Sequence, residues 1–176
     1  MGDPVEIGER GSAIDLSRII RQIQRRYPDS HRSEGAHRAL LQLWGGGDCN
    51  ENGAFNDDET VEFRLGKERQ WHATVRIATS RKGWHAVGVD YHSATSGGMS
   101  GPSLWNRVAY MDKQEAIDAG VVRLITEYQR IRDWPVETES NKRKAERMIA
   151  LLEKRLGIPD RPAAQPEVEQ LSLFGP

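Results

Sequence analysis

Oxygen-bearing side chains crowd one stretch, Asp48-Cys49-Asn50-Glu51-Asn52-Gly53-Ala54-Phe55-Asn56-Asp57-Asp58-Glu59. The spacing fits D-x-[DN]-x-[DN]-G-x5-E, where oxygens at alternate positions converge on one point and a glycine permits the sharp turn. On that template Asp48, Asn50 and Asn52 supply side-chain oxygens, Ala54 a backbone carbonyl and Glu59 both carboxylate oxygens to a Ca2+ ion. Only Asp48 and Glu59 of these side chains are charged, so such a site would bind weakly, and nothing else in the chain requires a cofactor. The flanks also differ from the template's usual setting: Gly45-Gly46-Gly47 precedes the loop and an alternating, strand-like segment follows it. A solvated, turn-rich connection explains the same composition, because Asn, Asp and Gly favour turns.

The loop, with its apolar Phe55 after the turn, resembles EF-hand and dockerin-type calcium loops. Other reactive side chains are more scattered. His72, His85 and His92 fall in or near adjacent alternating segments, with His72 and His85 expected on different faces. Asp90-Tyr91-His92 offers an acid beside a histidine, although neighbours on a strand point to opposite sides. No catalytic set is read from these residues. Thr95-Ser96-Gly97-Gly98-Met99-Ser100-Gly101-Pro102 lacks the lysine and following helix of a phosphate cradle and reads as a hairpin loop. Cys49 has acidic neighbours, which disfavour the thiolate. Trp71 and Trp84 flank Arg76, Arg81 and Lys82, and basic residues interleaved with aromatics are one way to hold single-stranded DNA. Trp71 shares its face with Val75 and Ile77, so core packing is the better reading for it.

These residues must be positioned by a scaffold whose periodicity changes along the chain. Residues 1–11 are polar and glycine-rich, an expected arm. Ser12 reads as the N-cap of a helix over 13–26, with Ile14, Ile19, Ile20 and Ile23 on one side. A second helix is expected over 33–44, stopped by the glycine triplet. The period then becomes two: Val61, Phe63 and Leu65; Trp71, Ala73, Val75 and Ile77; His85, Val87, Val89 and Tyr91. Such alternation predicts antiparallel strands with one buried face. A Ser/Gly-rich loop over 93–103 leads to a short strand around 107–110. Asp112 and Glu115 form a capping pair for a helix carrying Ile117, Val121, Leu124, Tyr128 and Ile131. A last helix over 140–156 buries Ala145, Met148, Ile149, Leu152 and Leu156. The expected fold class is α+β: a small antiparallel β-meander flanked by two N-terminal and two C-terminal helices, in one domain over 12–158.

The chain has 176 residues, enough for one sizeable core, and 29% are charged with a net charge of −1. Near-neutrality argues against a protein that coats nucleic acid electrostatically, although residues 64–82 and 142–155 are predominantly basic and allow local contact with DNA. One cysteine excludes an internal disulfide and a cysteine zinc site. No apolar run has the length of a membrane span and no leader pattern opens the chain, so the sequence expects no membrane and a cytoplasmic location.

Residues 159–169 differ in kind, with prolines at 159, 162 and 166 and no apolar periodicity, and read as an extended linker. Gln170-Leu171-Ser172-Leu173-Phe174 follows, within a tail of 170–176. Leucine and phenylalanine each gain about 1.5–3 kcal/mol on entering a pocket. Two adjacent anchors on a tether therefore reach micromolar affinity, about −8 kcal/mol, after ordering costs. The five residues resemble the pentapeptide by which bacterial polymerases, mismatch-repair proteins and replication regulators bind the DNA sliding clamp. The resemblance implies that Gln170 bonds at the rim, Leu171 packs between subsites, Ser172 faces solvent, and Leu173 and Phe174 fill the hydrophobic pocket. It implies an accessory of bacterial, phage or mobile-element replication or repair but says nothing about the domain, for which a binding module is the leading reading. The alternatives are a nucleic-acid enzyme or enzyme subunit localised by the same tail, and a weak calcium-binding domain with the tail docked internally.

Overall fold

The computed structural model describes residues 13–67 and 70–158. The expected arm, linker and tail, including Ser12 and Gln170 to Phe174, lie outside the described residues. In chain order the elements are β1 (Ala13–Asp15), α1 (Ser17–Arg26), a 3-10 turn (Ser30–Arg32), α2 (Glu34–Trp44), β2 (Glu59–Arg64), β3 (His72–Thr79), β4 (His85–His92), β5 (Gly97–Ser100), β6 (Val108–Tyr110), α3 (Lys113–Arg132) and α4 (Glu139–Arg155). The fold is α+β, with a six-stranded antiparallel sheet in the order β1-β6-β4-β3-β2 and β5 also paired to β4.

The centre of the sheet is the β3–β4 hairpin. Ser80 closes it twice, donating its N–H to the Trp84 carbonyl (2.8 Å) and accepting the Trp84 N–H on Oγ (3.2 Å). The register that follows sets His72 opposite His92, Thr74 opposite Asp90 and Val75 opposite Val89. One face of the hairpin is apolar between its polar Thr79–His85 end and Tyr91. Ala73, Val75, Ile77, Val87 and Val89 meet Ile117, Val121, Leu124 and Tyr128 of α3 and Ala145, Met148 and Leu152 of α4. Trp71 is fully buried in this core and stacks on Tyr128, with ring centroids 6.2 Å apart.

The opposite face is covered over part of its length. Ala78 and Ala86 sit under Leu16, Ile20, Leu40 and Trp44 from the N-terminal helices, with Phe55 and Leu104 completing a second core. Beyond those alanines the face carries polar residues, His72, Thr74, Arg76, Asp90 and His92, none of them fully buried.

Helix ends follow the capping chemistry of the sequence. Ser33 Oγ accepts the Ala36 N–H (3.4 Å) and Asp112 Oδ1 the Glu115 N–H (2.8 Å), each satisfying an otherwise orphaned donor. Gly45, in the left-handed region at φ 76°, ends α2. Two elements differ from the periodicity reading. The first helix begins at Ser17, because residues 13–15 pair with β6 as an edge strand and Leu16 donates to the Arg107 carbonyl (2.7 Å). The N-cap is Leu16, which has no side-chain cap, and Asp15 Oδ1 accepts the Ser17 N–H (2.8 Å) just before the helix. Within the expected loop over 93–103, Gly97 to Ser100 form β5 against β4. Among the described residues, no helix is long and apolar enough to cross a membrane.

Candidate functional site

The polar half of the sheet gathers three side chains of the kind that move protons or hold cations. One ligand-type atom from each of His72, Asp90 and His92 lies within 4.8 Å of the other two. The strands dictate this convergence. His72 and His92 are cross-strand partners, and Asp90 lies two residues before His92, on the same side of the pleat. The two imidazoles stack at 4.7 Å between centroids and 21° between planes. Asp90 Oδ1 is 3.4 Å from His92 Nε2, and Asp90 Oδ2 accepts from Arg76 Nη2 at 3.4 Å. Arg76 is held from its other side by Asp57, at 2.9 Å. The Asp90 side chain is 15% exposed and that of His92 52%, so the cluster has an inner wall and an open mouth. On the β5 side, a Cβ placed on Gly97 would come within 3.1 Å of His92 Nδ1, so the absence of a side chain there makes room for the ring.

The site is tied to the core from below. The buried Tyr128 hydroxyl donates towards the carbonyls of both His72 (2.8 Å) and His92 (3.1 Å), bracing the ends of β3 and β4. Burial pushes the Tyr128 hydroxyl well above the ordinary tyrosine value, so it remains a neutral donor. Tyr128→Phe keeps the ring and leaves those carbonyls without this partner. It should cost about 1–2 kcal/mol in a urea titration; a loss below a few tenths would show that the bracing contributes nothing.

The other residues singled out in the sequence are placed as follows. Arg81 and Lys82 stand in the hairpin turn, apart from Arg76. Lys82 donates from Nζ to the Leu43 carbonyl (2.8 Å) at the end of α2 and lies 4.6 Å over the Trp84 ring. The aliphatic part of Arg81 runs beside Gly46. Arg76 pairs with Asp57 and Asp90, and Lys82 with the Leu43 carbonyl, so these two cations each have a local partner.

In the acidic loop, Asn50 Oδ1 accepts the N–H groups of Asn52 (2.9 Å) and Ala54 (3.0 Å), and the Ala54 carbonyl accepts from the Asn50 N–H (2.8 Å). Glu59 opens β2 and pairs with Lys113 at 2.8 Å. The donors assigned to Asn50, Ala54 and Glu59 are thus engaged in turn and surface contacts. Burial, and secondarily Asp48, raise the Cys49 thiol above its usual value, in keeping with an unreactive thiol. His85 lies on the sheet face opposite His72, with Nδ1 3.1 Å from Thr79 Oγ1. The Thr95 to Ser100 segment is pinned instead of cradling an anion: Thr95 donates to Glu137 at the start of α4, and Ser93 accepts the Ser96 N–H (2.9 Å).

The convergence of His72, Asp90 and His92 is not legible from neighbours in sequence, because it depends on cross-strand register. A hairpin turn centred on Lys82 was the available signal: residues equidistant from it pair, which sets His72 against His92.

No protein-family model, no curated protein and no solved structure matches the chain.

Proposed function

We propose that this protein is a client of the bacterial DNA sliding clamp, an accessory of replication or repair recruited through Gln170-Leu171-Ser172-Leu173-Phe174. That peptide is the observation that carries the reading. Its glutamine and its terminal Leu-Phe pair are the features a rim-and-pocket site selects, whereas a segment that merely covers its own domain needs neither. One further fact supports it. The 11 residues of 159–169 contain prolines at 159, 162 and 166, a composition suited to an extended spacer. The tail supplies an address, and the domain supplies what is delivered.

Energetically the two anchors dominate. Removing both Leu173 and Phe174 side chains forfeits about 3 kcal/mol or more of burial. In a calorimetric titration with purified clamp, the intact chain should bind with micromolar affinity. The Leu173→Ala/Phe174→Ala chain should bind at least about 100-fold more weakly. Equal affinities, or no binding by the intact chain, would refute the proposal.

A further inference from the structure

We propose that His72, Asp90 and His92 form a binding site for a divalent transition-metal ion of the zinc class, with an open position for water or an incoming ligand. Four observations converge on it. The donor set is two imidazole nitrogens and one carboxylate oxygen, all within 4.8 Å. Imidazole selects zinc, nickel, copper or iron over calcium and magnesium, which prefer oxygen-only shells.

The second observation is an unmet acceptor. Asp90 Oδ1 is shielded from solvent and has no hydrogen-bond partner. His92 Nε2 stands 3.4 Å away, long for a hydrogen bond. The edge of a tetrahedron built on metal–ligand bonds of about 2.0–2.1 Å is about 3.3–3.4 Å. The Asp90–His92 separation already has that length. Rotation of the His72 and His92 rings about their χ angles can bring the remaining pairs towards it.

The third is the support around the ligands. Metal-binding carboxylates and histidines are oriented by an outer layer of hydrogen bonds. Here Arg76 takes Asp90 Oδ2 and leaves Oδ1 directed at the histidines, while Asp57 offsets the guanidinium charge. Tyr128 fixes the backbone of both histidines from the core side. The fourth is access. His92 is 52% exposed and Gly97 leaves its flank open, so an ion enters from solvent and keeps a solvent-facing position. Three protein ligands with one open position is the arrangement of reactive, as opposed to purely structural, zinc sites.

The test is a titration of the full chain with zinc chloride. One ion per chain should bind. Asp90→Asn and His92→Ala should each weaken binding by at least about 100-fold, the upper end of the range seen for loss of outer-layer partners. His85→Ala, on the other face, should bind zinc as the parent does. Far-UV circular dichroism checks that each variant is folded. A second measurement needs no variant: of the five histidines, only the ring resonances of His72 and His92 should shift with zinc. Those of His31, His37 and His85 should stay. Failure of the intact chain to bind zinc saturably, undiminished binding by folded Asp90→Asn and His92→Ala, or shifts confined to other histidines would each overturn the site.

Discussion

Trp44→Ala should destabilise the protein by about 3–5 kcal/mol, the range for emptying a large aromatic site from a core. Trp44 is completely buried on the last turn of α2 and is the junction of the second core. Its ring meets Phe55 of the acidic loop at 5.5 Å and Trp84 of the hairpin turn at 6.1 Å, both edge-on. Its Nε1 donates to the Leu104 carbonyl at 3.0 Å. Alanine leaves a cavity bounded by three separate segments and strips that carbonyl of its donor, so the transfer and hydrogen-bond losses add. A whole-domain stability is typically about 5–15 kcal/mol, so this one change removes a large share of it. Equilibrium urea denaturation followed by circular dichroism measures the loss. A change under about 1 kcal/mol would mean that the N-terminal helices contribute little to the cooperative fold.

Gly88→Ala should cost about 3 kcal/mol, the upper end of the usual overpacking range. Gly88 is in the middle of β4, opposite Arg76 and buried beneath the segment that leaves β5. A Cβ there would lie 2.3 Å from the Ser100 carbonyl oxygen, 2.6 Å from Gly101 C and 2.6 Å from Pro102 N. All three are backbone atoms, so no rotamer change relieves the clash, and the crossing strand must lift from the sheet. Lifting it also disturbs the Asn106 bond to the Val87 carbonyl (2.7 Å) and the Phe55 bond to the Pro102 carbonyl (2.9 Å). The effect therefore spreads into the second core. A thermal melt within a degree of the parent's would show that the 100–102 segment moves aside freely.

Much of this architecture was readable from residue types alone, where the determining contacts are local or periodic. Asp112 was identified with Glu115 as a capping pair because a capping residue acts on an N–H only three positions away. Ala145, Met148, Ile149, Leu152 and Leu156 were assigned inward by helical spacing; the first four are buried and Leu156, at the C-cap, is partly buried. Trp71 was assigned to the core by its shared parity with Val75 and Ile77, and it is. The misses are long-range. Ile14 fits a helical stripe and a strand equally well, and only the exposed edge of β6, almost a hundred residues later, selects the strand. The β5 segment, Gly97-Gly98-Met99-Ser100, has no apolar alternation to announce it, and its pairing with β4 comes from the neighbouring backbone. The histidine–aspartate cluster is a product of register, which composition does not display. The clamp-like peptide is the opposite case, a five-residue pattern read from residue types alone, outside the described residues.

The division of labour proposed here, an address in the tail and a separate site on the sheet, is tested most directly by a chain ending at Ile158. That chain retains both cores and the His72–Asp90–His92 cluster. Titrated against purified sliding clamp beside the full chain, it should fold with the same circular dichroism, retain zinc binding and show no measurable affinity for the clamp. Clamp binding by the shortened chain equal to that of the full chain would contradict the account, because the address would then lie in the domain.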